Sequence, residues 1–224
     1  NMRDHGNTHH LNEGLFYSTR LDEVYEAAIH ATGLKRGGHA YLMGFSLGGN
    51  FALRIARRIP QARTAAFRHI IAVSPALNPS KATDAIDKNP LLHWYFMKKW
   101  KRSLAVKQEI FPHCHDFRKM LLMDSIRDMT ERLVTASGRY AGADEYFKAY
   151  TIEPDSLKDL GVPLTVITSA DDPAIPVEDF RELQLASHSR IVIHSYGGHN
   201  GFLTGLTTPA WYEQESLKIF SREC

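Results

Sequence analysis

The chain has 224 residues, enough for one sizeable domain with its own core. Hydrophobic residues make up 43%, and 27 basic against 25 acidic residues leave a net charge of +2, which points to no general affinity for nucleic acid or membrane. No apolar run approaches the ~20 residues of a membrane helix, and two cysteines, Cys114 and Cys224, make no disulfide framework, so free thiols in a reducing, cytoplasmic setting are expected.

Residues 1–18 read as a polar loop, with His5, His9 and His10 facing solvent. The opening Asn1-Met2-Arg3-Asp4-His5-Gly6 reads as the end of a strand running into that loop, so the chain is expected to start in mid-domain. From Thr19 to about Thr32 the spacing predicts a helix with Leu21, Val24, Tyr25, Ala28 and Ile29 on one face. Thr19 and Asp22 resemble a capping box, and Gly33 stands where a C-cap glycine belongs. A short apolar run, His39-Ala40-Tyr41-Leu42-Met43, then meets Gly44-Phe45-Ser46-Leu47-Gly48. Behind it, Phe51, Ala52, Ile55, Ala56 and Ile59 line one face of a second helix that ends near Pro60.

Strand, Gly-x-Ser-x-Gly turn and helix form the setting of a nucleophile elbow. So sharp a turn gives Gly44 and Gly48 a steric reason to lack side chains. The serine hydroxyl stands at a helix N-terminus, which favours developing negative charge. No lysine follows in the position a phosphate-binding loop requires.

Arg68–Ser74 reads as a buried strand stopped by Pro75. From about 79 to 150 strands give way to helical patterns around 90–109, 114–134 and 143–150, expected as an inserted helical cap. The expected division is therefore 1–75 and 156–224 for an α/β core and 76–155 for the cap. Within the cap, Leu91-Leu92-His93-Trp94-Tyr95-Phe96-Met97 followed by Lys98-Lys99-Trp100-Lys101-Arg102 reads first as a helix burying its aromatics beside a solvated basic end. The sharper reading is a membrane-surface or acyl-binding helix. His113-Cys114-His115-Asp116 has metal-ligand residue types, but consecutive helical residues point in different directions, so no metal is expected. No cofactor is expected either.

The α/β rhythm resumes with strands at Val162–Thr168 and Arg190–His194, a helix from Pro176 to about Ser187, and a final helix from Pro209 to Ser221. Alternation of this kind predicts a mostly parallel sheet with helices on both faces. A serine becomes nucleophilic only beside a base, and a histidine base needs an acceptor on its other nitrogen. Two strand-end loops carry the missing groups: Ser169-Ala170-Asp171-Asp172-Pro173 and Gly197-Gly198-His199-Asn200-Gly201. The order Ser46, Asp172, His199 is the chain order of one known version of the triad.

The chain resembles the α/β-hydrolase superfamily, and within it the cap-bearing YheT-like predicted hydrolases and related esterases. The residues that carry the likeness are Arg3-Asp4-His5-Gly6, Gly44-Phe45-Ser46-Leu47-Gly48-Gly49-Asn50, Asp171-Asp172-Pro173 with Pro176, and Gly197-Gly198-His199 with Gly201-Phe202. They span nearly all of the chain outside the cap. The resemblance implies carboxylic-ester chemistry on a small-molecule ester, and the aromatic content of the cap points to an acyl group of apolar character. It favours Asp172 over Asp171 as the acid, four positions before a proline. It also implies Leu47 as one oxyanion donor through its backbone N–H.

The same resemblance implies strands upstream of Asn1, and with them a second oxyanion donor, that are absent from this chain; a missing N-terminal segment is expected to complete the sheet. A thioesterase or lipase on the same triad, or a non-catalytic binding protein of the same fold, are the alternatives.

Overall fold

A computed structural model describes residues 1–59 and 66–222. They form two compact units, one of Asn1–Arg20 with Ser80–Tyr150, the other of Leu21–Pro79 with the chain from Thr151 onward. The first twenty residues thus group with the helical block rather than with the α/β residues expected to hold them. Among the described residues no helix is long and apolar enough to cross a membrane.

The α/β unit begins with α1 (Leu21–Gly33), β1 (Tyr41–Phe45), α2 (Leu47–Arg58) and β2 (His69–Val73). Helix α1 buries no residue fully; its apolar face of Leu21, Val24, Tyr25, Ala28 and Ile29 is half-buried, and the helix packs on α2. The capping box does not form as expected. Thr19 instead accepts from the Tyr140 hydroxyl at 2.8 Å within the other unit, and Asp22 pairs with Arg58. Helix α2 is buried nearly all round: Asn50, Leu53 and Arg54 are covered along with the apolar face read from the spacing. It ends at Arg58 with Ile59 as its cap, and Pro60, the expected stop, lies outside the described residues.

After the helical block come β3 (Leu164–Ser169), α8 (Glu178–Arg181), β4 (Arg190–His194) and α9 (Trp211–Arg222). The four strands pair in chain order and every pairing is parallel. Side chains alternate across a strand, so Met43, Ile71, Val73 and Ile167 share a face, where Phe202, Trp211, Tyr212, Ile219 and Phe220 cover them. Gly44 opens onto the other face, against the first turn of α2. Helices therefore flank both sides of a parallel sheet, which is the expected class. Among the described residues β1 has β2 as its one strand neighbour.

One expected helix shrinks. Residues 176–187 yield only the single turn of α8, because the backbone downstream pairs elsewhere: Gln184 N–H donates to Pro154 O at 2.7 Å and Ala186 N–H to Leu157 O at 3.2 Å. Propensity is a weak prior against such tertiary pairing.

The helical unit holds a 3₁₀ turn at His9–Leu11, α4 (Pro90–Ile110), α5 (Arg118–Leu121), α6 (Ile126–Ala136) and α7 (Ala143–Lys148), and α3 (Pro79–Lys88) leads into it. The expected helix over 114–134 breaks into α5 and α6. Ser125 caps α6, accepting from Asp128 N–H at 3.2 Å, and Asp87 accepts from the N–H groups of Ile126 and Arg127 at 2.9 and 3.1 Å. These bonds satisfy donors that a helix start leaves open. The expectation that α4 buries its aromatics holds for only half of them: Phe96 and Trp100 are half-buried beside the buried Met97, Leu104 and Lys107, while Trp94 and Tyr95 are exposed.

Lys107 accounts for the placement of the N-terminal segment. Its side chain is 1% exposed, and its ammonium donates to Asp4 Oδ1 at 2.8 Å, to His9 O at 3.2 Å and to Asn12 O. Asp4 Oδ2 accepts in turn from Phe16 N–H at 2.7 Å. A charge so buried is tolerated only when fully paired. His9 is also buried, contrary to the solvent-facing expectation, with Nε2 2.7 Å from Ser103 Oγ; burial lowers its pKa below the ordinary value.

Removing the ammonium in Lys107→Met leaves Asp4 buried without its counter-charge. Stability of the chain should fall by about 3–5 kcal/mol, read from the urea midpoint, and Asp4→Asn in the same chain should restore part of the loss.

Candidate active site

The β1–α2 connection takes its shape from two close approaches. A Cβ on Gly44 would lie 2.1 Å from the carbonyl oxygen of Gly48, and one on Gly49 would lie 3.0 Å from Pro75. Gly48 itself has nothing within 4 Å. Gly44 is required as expected, but the second crowded glycine is Gly49, because it faces the turn after β2. The chain reverses at Ser46, which takes φ 51° and ψ −117°. A non-glycine residue held there costs about 1–3 kcal/mol and persists only where its surroundings fix it.

Here they do. Ser46 N–H donates to Val73 O at 2.9 Å, and Ser46 O accepts from Ala76 N–H at 3.3 Å and from Asn50 N–H at 3.0 Å. The Asn50 side chain donates to Ala76 O at 2.8 Å. The elbow is thus bolted to the end of β2. The Leu47 N–H, one of the open donors at the start of α2, has no acceptor among the described residues.

The histidine loop is held as tightly. Gly198, Asn200 and Phe202 all have positive φ, and Gly197 lies so close to the Phe202 ring that a Cβ would sit 2.7 Å from it. Ser169 Oγ donates to Gly198 O at 2.9 Å. Asp171 Oδ1 accepts from the N–H groups of both Gly197 and Gly198 at 2.8 Å. Those N–H groups, Gly198 first, lower the Asp171 pKa below the ordinary carboxylate value.

Three expected side chains meet. His199 Nε2 lies 3.0 Å from Ser46 Oγ. His199 Nδ1 lies 2.9 Å and 3.1 Å from the two oxygens of Asp172. Asp172 is fully covered, and its Oδ1 also accepts from the N–H groups of Ala174 and Ile175 at 2.8 and 3.0 Å. The carboxylate is fixed from below by backbone and presents its free edge to the imidazole. With Nδ1 donating to Asp172, Nε2 is left to accept from the Ser46 hydroxyl. Such an array can deprotonate an alcohol and hold the resulting imidazolium.

The two adjacent aspartates therefore divide their work. Asp172 touches His199, and Asp171 holds the loop that carries it. The part of Asp171 was not expected; its signal in the sequence is two consecutive carboxylates after a strand and a Gly-Gly pair before the histidine.

The metal-like run belongs to the helical unit and forms a turn rather than the expected helix. His113 and Cys114 bring donor atoms within 4.8 Å of Glu13, with all three residues exposed. His115 Nε2 meets Glu13 O at 2.7 Å, and Asp116 pairs with Arg118. Cys224 lies outside the described residues.

Comparisons with known proteins bear on the fold and the chemistry. The family model described as "Alpha/beta hydrolase family" matches residues 2–214. Phospholipase ABHD3 of Homo sapiens is 28% identical over 180 residues, 73% of this chain and 40% of that protein. The Mus musculus protein is 26% identical over 209 residues, 85% of this chain and 47% of its own length. The chain thus spans less than half the length of these curated relatives. Among solved structures, a meta-cleavage product hydrolase from Pseudomonas fluorescens IP01 matches with a TM-score of 0.52 at 16% identity, covering 99% of this chain and 75% of that one. A serine hydrolase, CCSP0084, from Cycloclasticus zankles gives 0.50 at 16% identity, covering 92% and 69%. At such identities the structures show the fold.

Gly44→Ala should abolish folding, whereas Gly48→Ala, in open space within a helical turn, should hold or raise the melting temperature through a helix-propensity gain of up to ~1 kcal/mol. Thermal unfolding of the two purified variants checks this. Asp171→Ala should lower kcat/KM by about 10- to 100-fold through displacement of His199. A carboxylate with a depressed pKa stabilises the fold above the ordinary value and loses that effect as pH falls through the depressed one. The stability difference between wild type and Asp171→Ala should therefore stay constant from neutral pH to about 4 and narrow only below it, as urea titrations across pH would record.

Proposed function

We propose that this chain, which belongs to the alpha/beta hydrolase family, is a serine hydrolase that cleaves carboxylic esters through an acyl-enzyme. The observation that carries this reading is the continuous relay from Ser46 Oγ to His199 at 3.0 Å and from His199 to Asp172 at 2.9 Å. Ser46 Oγ attacks the ester carbonyl while its proton passes to His199 Nε2. The charge that develops on the carbonyl oxygen is met by the Leu47 N–H at the start of α2. Asp172 holds the imidazole in the tautomer that can accept and stabilises the imidazolium once formed. The tetrahedral adduct collapses, the C–O bond to the alcohol breaks, and the alcohol leaves with the proton from Nε2. Water then attacks the acyl-serine, gives a proton to Nε2, and the acid is released as Ser46 regains its hydrogen.

The ABHD3 relatives are called phospholipases, and the carboxylic esters of a phospholipid belong to the bond class this relay cleaves. Those names favour an ester with an apolar acyl group. A thioester would be attacked by the same relay. Hydrolysis of an oxygen ester and a thioester of equal acyl length distinguishes the two, with the oxygen ester expected to give the higher kcat/KM.

A fluorophosphonate probe should label the wild-type chain once, and Ser46→Ala should lose both the label and the ester hydrolysis. Asp172→Asn should keep its fold and lower kcat by about 10⁴ through the wrong imidazole tautomer. A wild-type protein that takes no label would leave a binding protein of the same fold as the better account, and labelling that persists in Ser46→Ala would place the nucleophile at another residue.

A further inference from the structure

The geometry points to a second function for the helical unit: the outer face of α4 is a docking surface for an anionic lipid bilayer. Leu91, Trp94 and Tyr95 are 72%, 57% and 48% exposed, although the same helix buries Met97 and Leu104. At about 100° per residue, Leu91, Tyr95, Lys98 and Arg102 form one stripe on the side opposite the buried residues, with Trp94 on its flank. Along that stripe the first turns are apolar and aromatic and the later ones cationic.

Charge decides which partner fits. Lys98, Lys99, Lys101 and Arg102 place four cations within five residues of a chain whose net charge is only +2. Among the described residues, none of the four lies in an ion pair with a carboxylate. The nearby acids Asp87 and Asp124 gather instead on His93, at 3.8 and 3.9 Å, about 140° around the helix from Lys98. The Lys98 ammonium lies 4.9 Å from the Trp94 ring centroid and that of Lys99 lies 5.6 Å from the Tyr95 ring. Each aromatic thus carries a cation beside it, the pairing that sits at a headgroup boundary, with the ring at the acyl edge and the ammonium among phosphates.

A nucleic acid would use the cations and could stack on the rings. It would gain nothing from Leu91, the most exposed of the three apolar side chains, and a bilayer accounts for all of them. Lipid attachment needs two signals, an apolar insertion and a basic patch, and both lie within 12 residues of one helix, Leu91 to Arg102.

The test is flotation of the 224-residue chain with vesicles of phosphatidylcholine alone or with 30 mol% phosphatidylserine. Wild type should float with the anionic vesicles and stay behind with the neutral ones. Neutralising two cations in Lys98→Gln/Lys99→Gln should weaken partitioning roughly 25-fold, at about fivefold per charge, and Trp94→Ala/Tyr95→Ala should weaken it comparably at unchanged salt. Both variants should keep wild-type labelling by a fluorophosphonate and wild-type hydrolysis of a short water-soluble ester, so a failure of lipid docking is read separately from a failure of the hydrolase reading. Equal flotation of wild type and variants would overturn the proposal. So would tighter binding to a single-stranded oligonucleotide than to the vesicles, or a dimer in light scattering that these substitutions dissolve.

Discussion

The arrangement around Ser46 depends on the approach of Gly44 to the carbonyl of Gly48. No side chain fits in a gap where a Cβ would stand 2.1 Å from that oxygen. Because Gly44 has none, β1 can turn directly into α2 and push Ser46 out at φ 51°. The strain at Ser46 is then held by bonds that belong to the next strand: Val73 O accepts its N–H, and the turn after β2 is tied to Asn50. A serine placed this way has its hydroxyl free of the helix it begins, since no side-chain capping bond is formed. The strained residue is also the one whose hydroxyl meets His199, a coincidence expected where surroundings rather than local preference set the backbone.

The histidine loop solves the complementary problem with carboxylates rather than glycine alone. A loop of Gly197, Gly198 and Gly201 has many conformations to lose. Asp171 removes much of that freedom by accepting from two successive N–H groups, and Ser169 donates to the carbonyl of Gly198 that follows them. Asp172 is left to the imidazole. Two identical side chains, adjacent in the chain, differ in role because one faces backbone donors near solvent and the other is wholly covered under a ring. The electrostatics agree: the N–H groups lower the pKa of Asp171, so the anchor keeps its charge to more acid pH than an ordinary carboxylate.

The helical unit is organised around a different constraint, a buried ammonium. Lys107 reaches Asp4 and two carbonyls of the N-terminal segment, and its α4 backbone thereby gathers residues that stand about a hundred positions earlier. The Arg127 guanidinium performs a similar service at the other end, donating to Asp84 at 2.7 Å, Asp144 at 2.9 Å and Ser80 Oγ at 2.6 Å. These bonds raise the pKa of Arg127, with Asp84 the largest cause. Polar clamps of this kind leave little apolar face to bury on α4, and its outward side keeps exposed aromatics and cations.

By itself the sequence determined what short-range sterics and periodicity decide. The run of apolar residues, the Gly-x-Ser-x-Gly turn and the helix behind it made Ser46 visible, and the alternation of β-branched runs with helical faces made a parallel sheet visible. His199 stood out through its glycines and its place after the last strand. Between the adjacent Asp171 and Asp172, the proline four positions on already favoured Asp172 through the family likeness, and the tertiary structure brings that carboxylate to the imidazole while turning Asp171 to the loop backbone. Tertiary structure alone moved the tight second glycine from Gly48 to Gly49, because the obstacle is Pro75, 26 residues on. It shortened the helix after Pro176, where backbone at 184–186 pairs with 154–157, and drew residues 1–20 to α4 through Lys107. In each case the deciding partner is remote along the chain, and a contact of that kind leaves no period, cap or turn signal in the local sequence for a reader to find.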